Sequence, residues 1–203
     1  MTEKLYLYPI WLRIWHASNA ILIILLIITG ISLQYSTNEY IRIRFDLAVS
    51  IHNVSGILLV INYLFFIIGN YSTRNIRYYI LEWKGLPQRI MQQSMYYLSG
   101  MFKGEKSPFP VSKDRKFNPL QKVSYVVTMY LFVPIVMITG IALLFPETIL
   151  PRFLGFSGIQ LTALLHAVAG FLISIFLVVH VYICTTGKPV TKNFKSIVTG
   201  WHE

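Results

Sequence analysis

The chain has 203 residues, 55% of them hydrophobic and only 13% charged, with a mean hydropathy of +0.57. Its formal net charge is +10, from 18 Lys and Arg against 8 Asp and Glu. The apolar residues come in blocks of roughly 20, the length that crosses a hydrocarbon layer as a helix. The basic residues flank those blocks, so the charge speaks for membrane topology and against nucleic acid as a partner. With Cys184 as the one cysteine, an intrachain disulfide and a thiolate cluster for zinc or iron–sulfur are excluded.

The chain opens on MTEKLYLYPIWLRIWH, and the apolar run continues to about Leu33. That is too long for a signal-peptide core, and no small-residue cleavage site follows, so it reads as a retained first helix. The spans are predicted at about 10–33, 47–69, 121–145 and 161–184, with Pro146 ending the third. A polar segment, about 70–118, separates the second and third spans, and a tail, 185–203, closes the chain. The polar segment contains RYYILEWKGL and QRIMQQSMYYLSGMF, whose mixture of aromatic, aliphatic, Arg and Gln residues predicts one or two short amphipathic helices on the inner leaflet. The expected fold is an all-α, integral membrane four-helix bundle forming one domain.

Lys and Arg set the orientation. Fifteen lie on the side of the termini and the long segment. Three, Arg42, Arg44 and Arg152, lie on the other. Both termini are therefore expected in the cytoplasm, with those three arginines as candidates for binding outer propionates or docking a partner.

Two halves of the chain repeat a pattern. IITGISL near the end of span one matches MITGIAL in span three, and HNVSG near the start of span two matches HAVAG in span four. The order of the two motifs is the same in each helix hairpin.

Four of the five histidines fall inside the spans. An ionisable residue in the bilayer is costly and tends to be functional. Topology places His16 and His180 near the cytoplasmic face, and His52 and His166 near the outer face. His166 and His180 are 14 residues apart. That is roughly 21 Å along one helix, with the two side chains nearly on the same face. Two depth-matched pairs of imidazoles on different helices suit axial ligation of two haem irons, and filling both axial positions favours electron transfer over oxygen chemistry. A single intramembrane histidine serves equally well as a hydrogen-bonded interhelical residue. Zinc fits poorly, because neither pair is joined by a carboxylate or Cys.

Gly56 and Gly170 follow His52 and His166 by four residues, and Gly30 and Gly140 hold matching places in spans one and three. These small residues leave room for a flat macrocycle, or else for close helix packing. Arg13, one turn before His16, is either a propionate partner or a topology-setting charge. His202, in the polar tail, reads as a surface residue.

The RxxH of span one (Arg13, His16), the HxxxG of span two (His52, Gly56) and the H-x13-H of span four (His166, His180) resemble the prokaryotic di-haem cytochrome b561 superfamily. The closer likeness is to the cytochrome b subunits of thiosulfate reductase, nickel–iron hydrogenase and formate dehydrogenase. It covers nearly the whole chain, from Trp11 to Trp201. Some members carry an aromatic where this sequence has Ala17.

The resemblance implies haem pairs His16–His180 and His52–His166, in agreement with the depths. It also implies a quinone site on the cytoplasmic side, at KFNPLQK, with Asn118, Gln121 and Lys122 as its polar residues. Asn118 and Pro119 also suit an ordinary helix start. The function expected is a di-haem b electron-transfer subunit of the bacterial inner membrane. It would link menaquinone or ubiquinone to a periplasmic multihaem cytochrome c, iron–sulfur or molybdenum protein. A stand-alone oxidoreductase between quinone and a small molecule is one alternative, and a non-redox anchor or transporter another.

Overall fold

The structure, a computed structural model, describes residues 4–36, 43–187 and 189–202. Arg42 and Lys188 lie outside the described residues. Four helices are long and apolar enough to cross a membrane: α1 (Ile10–Tyr35), α2 (Phe45–Ser72), a third span over Pro119–Leu144, and α6 (Gly158–Cys184). No more than 22% of the most apolar stretch of any span is buried inside the protein. The outward faces carry Ile, Leu, Val and Phe, such as Ile14, Ile21, Ile28, Phe171 and Val178, as a lipid-facing surface requires. Polar span residues turn inward instead, with Thr29, Ser32, Ser55 and Thr139 all buried.

Each span extends two or three residues past at least one expected end, and the third stops one residue short, at Leu144. Asn70 belongs to the last turn of α2, not to the polar segment, and its buried amide donates to the carbonyl of Phe66. The third span is not one regular helix. It consists of α4 (Pro119–Val127), a wide π turn at Thr128–Phe132 and α5 (Val133–Leu144). Pro134 has no N–H for the carbonyl of Tyr130, and its ring crowds that carbonyl, so the helix widens just before it.

Between the second and third spans lie a 3-10 turn (Asn75–Tyr78) and one amphipathic helix, α3 (Leu86–Met95), prolonged by a π turn to Gly100. Gly85, at φ +68°, provides the left-handed bend before α3, and Pro87 sits in its first turn. Trp83, Met91, Met95 and Leu98 are exposed along this segment, which suits a helix at a leaflet boundary.

α1 packs along α2, α5 along α6, and α2 also meets α5. Trp15 stacks on Phe66 at 4.2 Å in the core, joined there by Leu59, Met129, Val133 and Ile173. Close approach of α1 and α2 rests on Gly69, where an added Cβ would lie 2.6 Å from the Trp11 ring. Gly69→Ala is therefore expected to destabilise the bundle by about 1–3 kcal/mol, the usual cost of overpacking, seen as a lower thermal midpoint in detergent.

The tail is more ordered than its composition suggests. It forms α7 (Lys192–Thr199) and then β4 (Trp201–His202), which pairs antiparallel with β1 (Leu5–Tyr6). Both ends of the chain thus meet at one end of the bundle. Gly200, at φ +88°, makes the bend, and a Cβ there would meet Tyr6 and the carbonyl of Tyr8 at 2.7 Å. His202 is consequently not a free surface residue. It lies half-buried opposite Leu5, and burial pushes its imidazole below the ordinary range, with the Lys192 charge adding to this. At the other end, β2 (Arg152–Phe153) and β3 (Phe156–Ser157) form a short hairpin before α6.

Candidate functional site

The bundle brings the four span histidines into two pairs. His52 of α2 faces His166 of α6, with ring centres 6.1 Å apart. His16 of α1 faces His180 of α6 at 6.2 Å. A metal bound by both rings fixes that spacing: two metal–imidazole bonds of about 2.0 Å, plus about 1.1 Å from each nitrogen to its ring centre, span roughly 6 Å. Each pair joins one helix of the first hairpin to the last helix, so α6 supplies a ligand at both levels.

At the outer pair the protein fixes which nitrogen each ring presents. Thr29 Oγ1 donates its one proton to the carbonyl of Leu25 at 2.7 Å. The same oxygen lies 2.9 Å from His52 Nδ1, so it can only accept there, and Nδ1 must carry the hydrogen. Nε2 is left bare and free to bind a metal. Thr139 repeats the arrangement: its hydroxyl donates to Ile135 O at 2.6 Å and accepts from His166 Nδ1 at 2.9 Å. A ring held through its other nitrogen is how proteins orient metal-binding histidines.

The glycines of the repeated Thr-Gly pair stand against the same rings. An added Cβ would come within 3.5 Å of His52 at Gly30 and 3.2 Å of His166 at Gly140. Gly140 therefore leaves room for the His166 ring, whereas a Cβ at Gly30 would make ordinary contact with His52. Gly56 and Gly170 differ, because a Cβ on either meets no protein atom within 4 Å. They lie one turn along from His52 and His166, where a flat group held between those rings would extend.

The inner pair is built differently. The His180 ring stacks on Phe176 at 5.5 Å, and the Tyr125 hydroxyl lies 3.4 Å from its Nδ1. Cys184 also approaches, its Sγ 3.8 Å from His180 Nε2, contrary to the expectation that no cysteine would join either pair. The separation of four residues on one helix explains the contact. Among the described residues no group of three metal-ligating side chains forms. Beside His16 opens a cleft of about 470 Å³ lined by Ile10, Arg13, Ala17 and Val198, and the small Ala17 side chain contributes to its width. Arg13 donates to the Val198 carbonyl, tying α1 to α7 as well as facing this cleft. Arg44 pairs with Asp46 at 2.5 Å, and Arg152 lies in the exposed hairpin.

The three residues of the KFNPLQK stretch have structural work of their own. Asn118 Oδ1 accepts from Gln121 N at 2.9 Å, and Gln121 Oε1 accepts from Asn118 N at 3.2 Å, closing a capping box at the start of α4. Asn118 Nδ2 donates to the Tyr97 hydroxyl at 2.8 Å. Lys122 donates to Ile80 O at 3.2 Å and lies 3.8 Å from Glu82. Asn118→Ala is expected to cost about 1 kcal/mol through loss of the cap, read as a lower thermal midpoint.

Thr29, Thr139, Tyr125 and Phe176 were not singled out from the sequence. The two threonines did have a signal, since each precedes the glycine of the repeated motif.

Comparison with known proteins gives these pairs their context. Residues 7–200 match the family described as prokaryotic cytochrome b561. The chain is 36% identical over 200 residues to the protein YdhU of Escherichia coli (strain K12), which is named as a cytochrome; the match covers 98% of this chain and 75% of that one. A helical membrane bundle with paired imidazoles, matched over almost its whole length, belongs to the prokaryotic cytochrome b561 family: it is a multi-pass haem b electron-transfer protein of the bacterial inner membrane.

Proposed function

We propose that the chain holds two haem b groups, one between His52 and His166 and one between His16 and His180, and carries electrons between the quinone pool and a periplasmic redox protein. The observation that carries this reading is the pair of imidazole spacings, 6.1 and 6.2 Å, each near the value that two axial metal bonds need. When bound, haem supplies a reversible one-electron iron couple whose filled axial positions favour electron transfer over oxygen chemistry.

This chain's residues do the rest. The four histidines hold two metals, with the pairs separated by 14 residues along α6, roughly 21 Å. Thr29 and Thr139 hold the outer rings in one tautomer and one orientation. Tyr125 and Phe176 hold His180. The lipid-facing walls keep water from both levels. Fifteen basic residues against three support a cytoplasmic location for the termini, α3 and the inner pair. Quinone is taken at that end, near the Asn118–Lys122 turn, where water is close enough to exchange protons. The outer pair faces the periplasmic partner, in the manner of the dehydrogenase and reductase cytochrome b subunits that the sequence resembles. The periplasmic link separates this reading from a self-sufficient oxidoreductase.

The test is the reduced-minus-oxidised visible spectrum of the purified protein with haem stoichiometry. A b-type spectrum at about two haems per chain is expected. A folded protein made with ample haem supply that carries none overturns the reading.

A further inference from the structure

Lys116 is a buried ammonium that nothing in the electron path uses. It is 6% exposed. Its nitrogen donates to Asn75 Oδ1 at 2.8 Å. Asn75 Nδ2 donates in turn to Asn70 Oδ1 at 2.6 Å, and Asn70 Nδ2 donates to Phe66 O at 3.0 Å. Every bond in this chain points away from Lys116 and ends on a backbone carbonyl. An ammonium has three N–H donors, and this chain takes one. The Tyr78 ring lies 4.3 Å away and the Tyr8 ring 5.8 Å, so the remaining surroundings are aromatic faces. Among the described residues no carboxylate lies within 4.0 Å of it, and the charge that acts on it, Arg77, is of the same sign.

A buried cation costs several kcal/mol unless an opposite charge accompanies it. Aromatic faces offset only part of that cost. Burial, and then Arg77, lower this ammonium from the ordinary lysine range to about 8. The folded pKa is the lower one, so the destabilisation is full below about pH 8 and fades as pH rises toward the ordinary range. A fold that keeps such a group has a use for it.

The location indicates the use. Phe117, the next residue, packs edge-on against Tyr125 at 4.9 Å, and the Tyr125 hydroxyl reaches His180. Lys116 is thus next in sequence to a residue that packs on the Tyr125 support of His180, and its ammonium lies against Asn75 and Tyr78 of the turn after α2. We infer that Lys116 is an oxyanion-binding residue at the inner end of the bundle, pairing with a haem propionate or with the deprotonated hydroxyl of a quinone-type ligand. This rests on the haem and quinone reading above, and it adds Lys116, the first residue of the KFNPLQK stretch, to the polar residues named there.

The test is competitive acetylation of the purified, haem-loaded protein over about pH 7 to 11. The Lys116 peptide is followed by mass spectrometry, with and without an anionic 2-hydroxynaphthoquinone. An oxyanion partner raises the Lys116 titration midpoint from about 8 to the ordinary range of about 10.4 or above. Labelling at pH 9 then falls by about 20-fold or more. Without the naphthoquinone, a midpoint higher in haem-loaded than in haem-free protein assigns the propionate, and equal midpoints there exclude it. A midpoint raised only on adding the naphthoquinone assigns the quinone-type ligand. A midpoint that stays at about 8 in both samples overturns the assignment. The visible spectrum of the same sample separates the two claims: two b haems with an unmoved midpoint remove Lys116 and leave the haem reading standing. A preparation without haem fails the haem reading, and its naphthoquinone arm still decides Lys116.

Discussion

Replacing His52 or His166 by Ala is expected to halve the haem content, from about two to about one per chain, and to leave the inner haem in place. Replacing His16 or His180 is expected to remove the other haem and leave the outer one. The two pairs share only α6, and roughly 21 Å of helix separates their levels. Each variant removes one of the two imidazoles that would hold that haem, and a cavity replaces the ring in the core of the bundle. Double substitution within one pair, such as His52→Ala with His166→Ala, should retain the same single haem as either single variant. Substitution across pairs should leave none. Pyridine haemochrome assay against protein concentration reads all of these. If His52→Ala and His166→Ala removed different haems, the pairing seen in the bundle would be wrong.

Most of the fold was legible because the bilayer imposes a simple rule. Backbone polar groups must be satisfied within each span, so apolar blocks of sufficient length become helices, and the four spans emerge within two or three residues. The pairing of histidines was legible for a related reason. Alternating span direction converts position along the chain into depth, which brings His16 to the level of His180 and His52 to that of His166.

What remained hidden depends on local geometry or distant contacts. The π turn at Thr128–Phe132 follows from how one helix relaxes around Pro134. The pairing of Leu5–Tyr6 with Trp201–His202 joins two-residue strands at opposite ends of the chain, too short to leave a periodic signature. The contact of Tyr125 with His180 requires knowing how α4 rotates against α6. Cys184 beside His180 was readable from its spacing of four residues, and treating each pair in isolation missed it. The repeated Thr-Gly motif was visible, but the glycine alone was interpreted. The hydroxyl's role appears only when its donor bond to the carbonyl four residues earlier is seen.

Thr139→Val is expected to weaken retention of the outer haem by about 10- to 100-fold, the usual effect of losing a partner that orients a metal-binding histidine. Valine keeps the volume and branching of threonine, so packing beside Gly140 changes little. It removes the oxygen that accepts from His166 Nδ1 at 2.9 Å. The ring N–H then loses this acceptor, at up to about 1–3 kcal/mol, and the ring is freer to turn or to exchange its tautomer. Thr29→Val should act on the same haem through His52, because the two halves of the chain repeat the arrangement. Serine at either position retains the hydroxyl and is expected to restore most of the affinity. The inner haem, held through Tyr125 and Phe176, should be unaffected in all four variants. Haem loss to an excess of apomyoglobin, followed by the visible spectrum, measures the effect. Equal loss rates for the threonine and valine proteins would mean that the hydroxyl only caps its own helix carbonyl and does not orient the ligand.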